Sequence, residues 1–380
     1  MKPLPYGRQY VDQSDIDAVS KVLEGEYLTT GPKIDEFELQ IAKYTNSKFA
    51  VAVNSGTSAL DIAVGALDLP TGSEIITTPL TFAASANCAL YHNHTPIFAD
   101  IDPQTYNISP SEIEKKITKK TTAIVYVDYA GQPCDIDEIR EIAQKYNLYL
   151  IEDAAHAFGA TYKGKKIGSF ANMTEFSFHP VKHITTGEGG AITTDDPTLA
   201  NKLRLLRTHG IDRSDSARKN FGNPSAYVYD MVTLGRNYRI TDIQCALGIS
   251  QLKKIDLFLN RRKEIAKLYN DLFEETDDLI TPFVKSDRES AFHLYPILLP
   301  KKSNRDIIFS KLREMGIGVN VHYIPTYKFT YYKKRFNIKD SLFPNTEEVY
   351  SRLLTIPMYY GLTDEEVQFV ASSIKSLIKG

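Results

Sequence analysis

Residues 148–159 read LYLIEDAAHAFG, an apolar run that ends on a carboxylate and turns through Ala-Ala-His. A short apolar run bounded by such a turn fits a buried strand. Toward the N-terminus the same kind of run recurs as AIVYVD (123–128), TPIFAD (95–100), EIITT (74–78) and FAVAV (49–53). Between these runs lie SALDIAVGAL, TFAASANCALYH, SEIEKKI and DEIREIAQKY, with apolar residues at i, i+3 and i+4, the helical spacing. Strands alternating with helices predict a mostly parallel α/β sheet covered on both faces. Such sheets bind ligands beyond the carboxyl ends of their strands. Asp153 falls at one of those ends, although an aspartate there serves equally well as a helix cap. His156 follows, either as a ligand contact or as a satisfied polar residue near a helix start.

Outside this core, Asp12 or Ser14 can cap a helix through Val22, and Gly31-Pro32 opens a second. From residue 241 a long stretch, TDIQCALGISQLKKIDLFLNRRKEIAKLYNDLF, reads as a helical connector. After about 277 the pattern becomes strand, helix, strand, helix: HLYPILL, IIFSKLREMG, GVNVHYI and a final helix from Thr363. The expected organisation is an N-terminal arm and large domain over 1–250, then the connector and a smaller α+β domain over 251–380. A chain of 380 residues suits two domains.

Bulk properties narrow the function. A net charge of -2 supplies no basic field for nucleic acid or an anionic membrane, so an anionic ligand needs local positive charge. Cys88, Cys134 and Cys245 are scattered, with no CxxC, which suggests reduced thiols rather than a zinc knuckle or disulfide framework. The opening MKPLPYGRQYVDQ lacks a signal-peptide core, and no run of ~18 apolar residues occurs. The expectation is a cytoplasmic protein acting on a small ligand, with no membrane or nucleic-acid partner. His92-Asn93-His94 has no carboxylate or cysteine at ligand spacing, so no metal site is expected. Neither GxGxxG, GxxxxGK[ST] nor GxSxG is present.

Four segments can carry chemistry. In TEFSFHPVKHITTGEGGAITT, Lys182 stands between a β-rich run and a turn holding Gly187, Gly189 and Gly190. Such glycine density suggests a backbone that passes close to something flat or phosphorylated. A lysine in a low-dielectric pocket becomes an imine-forming nucleophile, whereas a lone loop lysine is usually solvated. Asp153 can supply the carboxylate that pyridoxal phosphate needs at its ring nitrogen, or equally cap the next helix. In VNSGTSALDIAVGAL a strand turns into a helix, and the helix amides with the Thr57 and Ser58 hydroxyls form either an anion site or an ordinary cap. In TTPLTFAASAN, Phe82 can stack on a ring or fill a core.

Taken together, NSGTSAL, EDAAHAFG, SFHPVKHITTGEGGAITT and GRNYRITDIQCALGISQL resemble the DegT/DnrJ/EryC1/StrS family of sugar aminotransferases. The likeness extends over YGRQYVDQSDIDAVSKVL, LTTGPKIDEFE and VHYIPTY. The block SFHPVKHITTGEGG is similar to the branch acting on UDP-linked 4-keto-6-deoxy-N-acetylhexosamines in pseudaminic acid synthesis. The resemblance implies the type I pyridoxal-phosphate aminotransferase fold, with a seven-stranded sheet, and a homodimer with shared active sites. It implies Lys182 as the Schiff-base lysine, Asp153 as the ring-nitrogen partner and His156 facing the ring hydroxyl. Gly56, Thr57, Ser58 and Ser177 match the phosphate cradle and Phe82 the residue stacked on the ring. Asn237 matches a phosphate ligand from the neighbouring subunit. Tyr6, Thr29, His322 and Tyr323 resemble the sugar-nucleotide side.

The implied activity is pyridoxal 5'-phosphate-dependent transfer of an amino group from L-glutamate to the C4 keto group of a nucleotide-linked 4-keto-6-deoxy sugar. The implied substrate is UDP-2-acetamido-2,6-dideoxy-β-L-arabino-hex-4-ulose. Alternatives are another UDP- or dTDP-4-keto sugar, of bacillosamine or perosamine type, and a non-catalytic sensor on the same fold. Sugar dehydratases on this fold replace the lysine with histidine; here Lys182 is present.

Overall fold

A computed structural model describes residues 3–222 and 225–379. Five parallel strands come first: β1 (Phe49–Val53), β2 (Glu74–Thr77), β3 (Thr95–Phe98), β4 (Thr121–Val127) and β5 (Tyr149–Asp153). β6 (Met173–Ser177) and β7 (Gly190–Thr194) complete a seven-stranded sheet in the order β1-β7-β6-β5-β4-β2-β3. Only β7 runs against the others, pairing antiparallel with both β1 and β6. The sheet is therefore mostly parallel, and crossover helices cover both faces.

Alternation along the strands separates two cores. Ala50, Ala52, Ile124, Tyr126 and Leu150 pack on one face with helix α2 (Pro32–Thr45). Val51, Val53, Ala123, Val125 and Ile151 face α3 (Gly56–Ala66) and lie in the core that also takes in Cys88 of α4 (Ala84–Tyr91). Ahead of the sheet, α1 (Gln13–Leu23) is capped by Asp12 in a reciprocal box with Asp15.

The stretch expected as one connector breaks in two. Helix α5 (Asp242–Leu252) packs against α1 and α2, and α6 (Ile255–Phe273) starts after Lys253-Lys254. Helix α6 feeds both ends of the molecule: Phe258 and Leu259 join the first core, while Ile265, Ala266 and Tyr269 join a second core toward the C-terminus. That second core is built on β8 (Tyr295–Leu298) paired antiparallel with β9 (Leu353–Ile356), with α7 (Arg305–Glu314) and α8 (Asp364–Lys379). GVNVHYI, expected as a strand, is irregular and keeps only a bridge from Asn320 to Thr355. The true partner of β8 is LLTI, which follows a helix directly. Leu4 is buried in the second core and bridges Ile317. Among the described residues no helix is long and apolar enough to cross a membrane.

Candidate active site

A cavity of about 600 Å³ opens at the carboxyl ends of the sheet strands. Lys182, Asp153 and His156 line it together, with Gly56, Thr57, Ser177 and Phe82. From the C-terminal side come His322 and Tyr323, and from the first residues of the chain comes Tyr6. Three expected residues do not line it. Ser58 is buried, its hydroxyl bonded to Asn54 Oδ1 at 2.7 Å and to the Ser55 hydroxyl at 2.8 Å. Thr29 bridges Thr241 at the start of α5, and Asn237 bridges Thr208.

Asp153 ends β5 on the face that carries α3 and α4. Its Oδ2 accepts from the Ser85 hydroxyl at 2.6 Å, and its Oδ1 accepts from the Ala155 amide at 3.2 Å. Ser85 in turn pairs with the Thr81 hydroxyl at 2.7 Å, so Thr81 can donate to Ser85 while Ser85 donates to Asp153. Both donors fix the orientation of the carboxylate.

Lys182 sits in the turn after β6, its amide bonded to the His179 carbonyl at 2.9 Å. Burial lowers its amine to a pKa of about 8; the nearby Asp153 carboxylate opposes that shift. An amine in this range is partly unprotonated near neutral pH and therefore nucleophilic. Its Nζ lies 3.4 Å from His293 Nε2. The nearby glycines answer to the protein's own chain. A Cβ on Gly190 would lie 2.7 Å from the Ser55 carbonyl, one on Gly189 would meet the Thr186 hydroxyl, and Gly187 has φ +81°.

His156 is buried, which pushes its pKa well below the usual histidine range, with Lys182 adding to the shift. Its Nδ1 accepts the Ala130 amide at 3.3 Å, so the proton of the neutral ring belongs on Nε2. That Nε2–H donates to the Tyr323 hydroxyl at 3.0 Å. The Tyr323 O–H remains free to donate into the cavity. Burial raises the Tyr323 phenol, which keeps that proton in place.

The α3 N-terminus presents the last part. Ser55 caps the helix through the Ser58 amide, which leaves the first helical amides without intrahelical acceptors. A Cβ at Gly56 would lie 2.4 Å from Glu175 Oε1 and 3.0 Å from Ser177 Cβ, so only bare backbone fits. Amides at a helix N-terminus with the Thr57 and Ser177 hydroxyls form a donor set for a phosphate.

Residues 9–375 match the DegT/DnrJ/EryC1/StrS aminotransferase family. The chain belongs to that family. It is similar to the UDP-4-amino-4,6-dideoxy-N-acetyl-beta-L-altrosamine transaminase of Campylobacter jejuni, at 42% identity over 99% of this chain and 98% of the relative. Its fold superposes on Helicobacter pylori PseC, an aminotransferase involved in the biosynthesis of pseudoaminic acid, with a TM-score of 0.94, 34% identity and full coverage of both chains. The PLP-form of Spr1654 from Streptococcus pneumoniae gives a TM-score of 0.91 at 30% identity over 99% of each chain.

The protein is thus a pyridoxal-phosphate-dependent aminotransferase of this family, with the fold that the resemblance implied. The donor set fits the cofactor: a phosphate cradle without a Cβ at 56, an acceptor carboxylate at Asp153 and an amine of lowered pKa at Lys182. Sequence reading passed over Ser85, Glu175 and His293. Glu175 left no clear signal, since a glutamate on a strand reads as solvent-facing. Ser85 and His293 left only a hydroxyl one turn into a helix and a histidine before an apolar run. His92, set aside as a loop residue, bonds Asp61 Oδ1 at 2.7 Å. Among the described residues no group of three His, Cys, Asp or Glu is placed to hold a metal.

Proposed function

We propose that the protein transfers an amino group from L-glutamate to the C4 keto group of a nucleotide-linked 4-keto-6-deoxy sugar, with UDP-2-acetamido-2,6-dideoxy-β-L-arabino-hex-4-ulose as the substrate. One observation carries the reading: Lys182, with an amine of pKa about 8, and the doubly held Asp153 line one cavity. The names of the Campylobacter and Helicobacter relatives support the sugar.

The bound cofactor supplies an electron sink for the carbanion that forms when an α-hydrogen leaves as a proton. Lys182 holds the cofactor at rest and, once released, takes that proton on Nζ and returns it. Asp153 holds the ring nitrogen. His156 fixes Tyr323, whose O–H faces the substrate side. Gly56, Thr57 and Ser177 hold the phosphate, and Phe82, 61% exposed, covers the ring. Tyr6, His322 and Tyr323 receive the sugar nucleotide.

A second copy of the chain completes the site through Asn237. Arg236 and Tyr238 both grip Asp61, at 3.3 and 2.7 Å, and positions i and i+2 of an extended segment share one side, so Asn237 faces the other. Exposed apolar residues around it support a dimer: Phe221, Tyr227, Met231 and Leu234. The working location is the cytoplasm. The units divide at 250/251, just before the Lys253-Lys254 break, with Leu4 reaching across.

The test is turnover of purified protein with L-glutamate against a panel of UDP- and dTDP-4-keto sugars, with NMR of the products. Amination of the UDP-N-acetyl sugar with the highest kcat/KM is expected. Stronger turnover of a dTDP sugar, or none on any keto sugar, overturns the assignment.

A further inference from the structure

We propose that Glu175 is a positioning residue for Asp153: a neutral carboxylic acid whose O–H is directed at the Asp153 carboxylate and holds it in place. The sheet register pairs Glu175 with Asp153 directly across β5 and β6, so both side chains leave on the same face. Glu175 is 1% exposed, and neither of its oxygens has a protein hydrogen-bond partner among the described residues. Beneath the pair on this face lie the apolar Ile151 and Met173, and Ile192 stands across from Glu175 on β7.

An ionised Glu175 would be a buried anion with no donor, beside a second anion. That arrangement is strongly unfavourable, because neither water nor a donor replaces the lost solvation. A protonated Glu175 has one hydrogen to give. Asp153 is a ready acceptor, because each of its oxygens takes a single donor, Ser85 or Ala155, and has a lone pair left. Burial, and next the charge of Asp153, raise the Glu175 carboxyl well above the usual carboxylate range. The titratable groups facing it are Asp153 from β5 and Lys182 from the turn after β6. Helix α3 offers none at its start, only the Gly56 backbone that Glu175 Oε1 abuts. The inference deepens the assignment of Asp153 as the ring-nitrogen carboxylate, and rests on it only for the effect on the cofactor.

Two measurements test it. Difference infrared spectra of the purified protein at pH 8, wild type minus Glu175→Gln, isolate the carboxyl at this position without any reference to the cofactor. A carboxylic-acid carbonyl band lost in the variant is expected; loss of a carboxylate band instead overturns the proposal. The second measurement is the pH midpoint of the visible band of the lysine-linked cofactor. Glu175→Gln keeps an N–H donor toward Asp153 and should titrate like wild type. Glu175→Leu removes the donor, leaves Asp153 more negative, and should raise the midpoint by about one pH unit. Equal midpoints in wild type and Glu175→Leu, or a Gln variant that behaves like Leu, overturn it. If the wild type shows no such band, the assignment of Lys182 and Asp153 fails while the infrared result still stands.

Discussion

Glu152 and Asp153 are neighbours on β5 with opposite fates. Asp153 faces α3, α4 and the cavity, where a hydroxyl and an amide hold its charge. Glu152 faces the closed core on the other side of the sheet. There it accepts a bond from the Thr174 hydroxyl at 2.8 Å, with the Tyr126 hydroxyl beside it. Asp128 and Tyr126 crowd the same closed face. Burial raises the Glu152 carboxyl to about 7 and Asp128 well above its ordinary range, with Glu152 adding to the Asp128 shift. The sheet thus places acidic side chains on both faces, and of this adjacent pair only Asp153, held by two donors beside an open cavity, is ready for chemistry. A carboxylate at a strand end is functional by virtue of which side it leaves on.

The strongest attack on that contrast is Lys182→Ala. It should remove the visible band and lower turnover by roughly 10³-fold or more, within the span of general-base effects, while the melting temperature changes little. Asp153→Asn should come next. Losing a charge-assisted bond worth about 1.5–3 kcal/mol lowers kcat/KM by roughly 10- to 150-fold, measured in steady state with saturating cofactor.

Glu152→Gln probes the closed face and should leave kcat unchanged. Its signature is in stability. The native Glu152 pKa of about 7 lies above the ordinary value of 4.5, so the folded form keeps a proton that the unfolded chain has lost. Wild-type stability should therefore be greatest below pH 4.5 as far as this group is concerned, and fall as pH rises through 7. The variant should lose that slope and melt a few degrees higher at pH 8, by calorimetry. A drop in kcat would erase the distinction between the faces.

The smallest effect compares two adjacent hydroxyls. Thr57→Ala should weaken cofactor binding about tenfold, whereas Ser58→Ala, whose hydroxyl is already engaged by Asn54 and Ser55, should change it less than about threefold. Cofactor titration by fluorescence separates them.

Much of this was readable from the chain. FAVAV, EIITT, TPIFAD, AIVYVD and LYLIED appear as β1 to β5 within two residues, because apolar runs in a doubly covered sheet leave a strong local signal. Where tertiary contacts decide, the reading fails. The break at Lys253-Lys254 has no glycine or proline to mark it; α5 turns because it packs on α1 and α2. GVNVHYI alternates like a strand, yet Asn320 makes only one bridge while LLTI takes the pairing with β8. Lys182, Asp153 and His156 were legible by motif. Glu175 was not, because strand alternation makes a glutamate look solvent-facing unless the face it occupies is known. Ser58 was misjudged as a cavity residue because helix caps and anion sites share one sequence signature.

Leu4 and Tyr6 find their backbone partners more than 300 residues further along the chain. Leu4 exchanges backbone bonds with Gly316 and Gly318, and the Tyr6 carbonyl accepts from Met358. On the ribosome, therefore, these two residues must wait until more than 300 others have emerged before they find their neighbours. Tyr6 lines the catalytic cavity, so a nascent chain whose large sheet is already formed still lacks part of the pocket wall until Met358 has emerged.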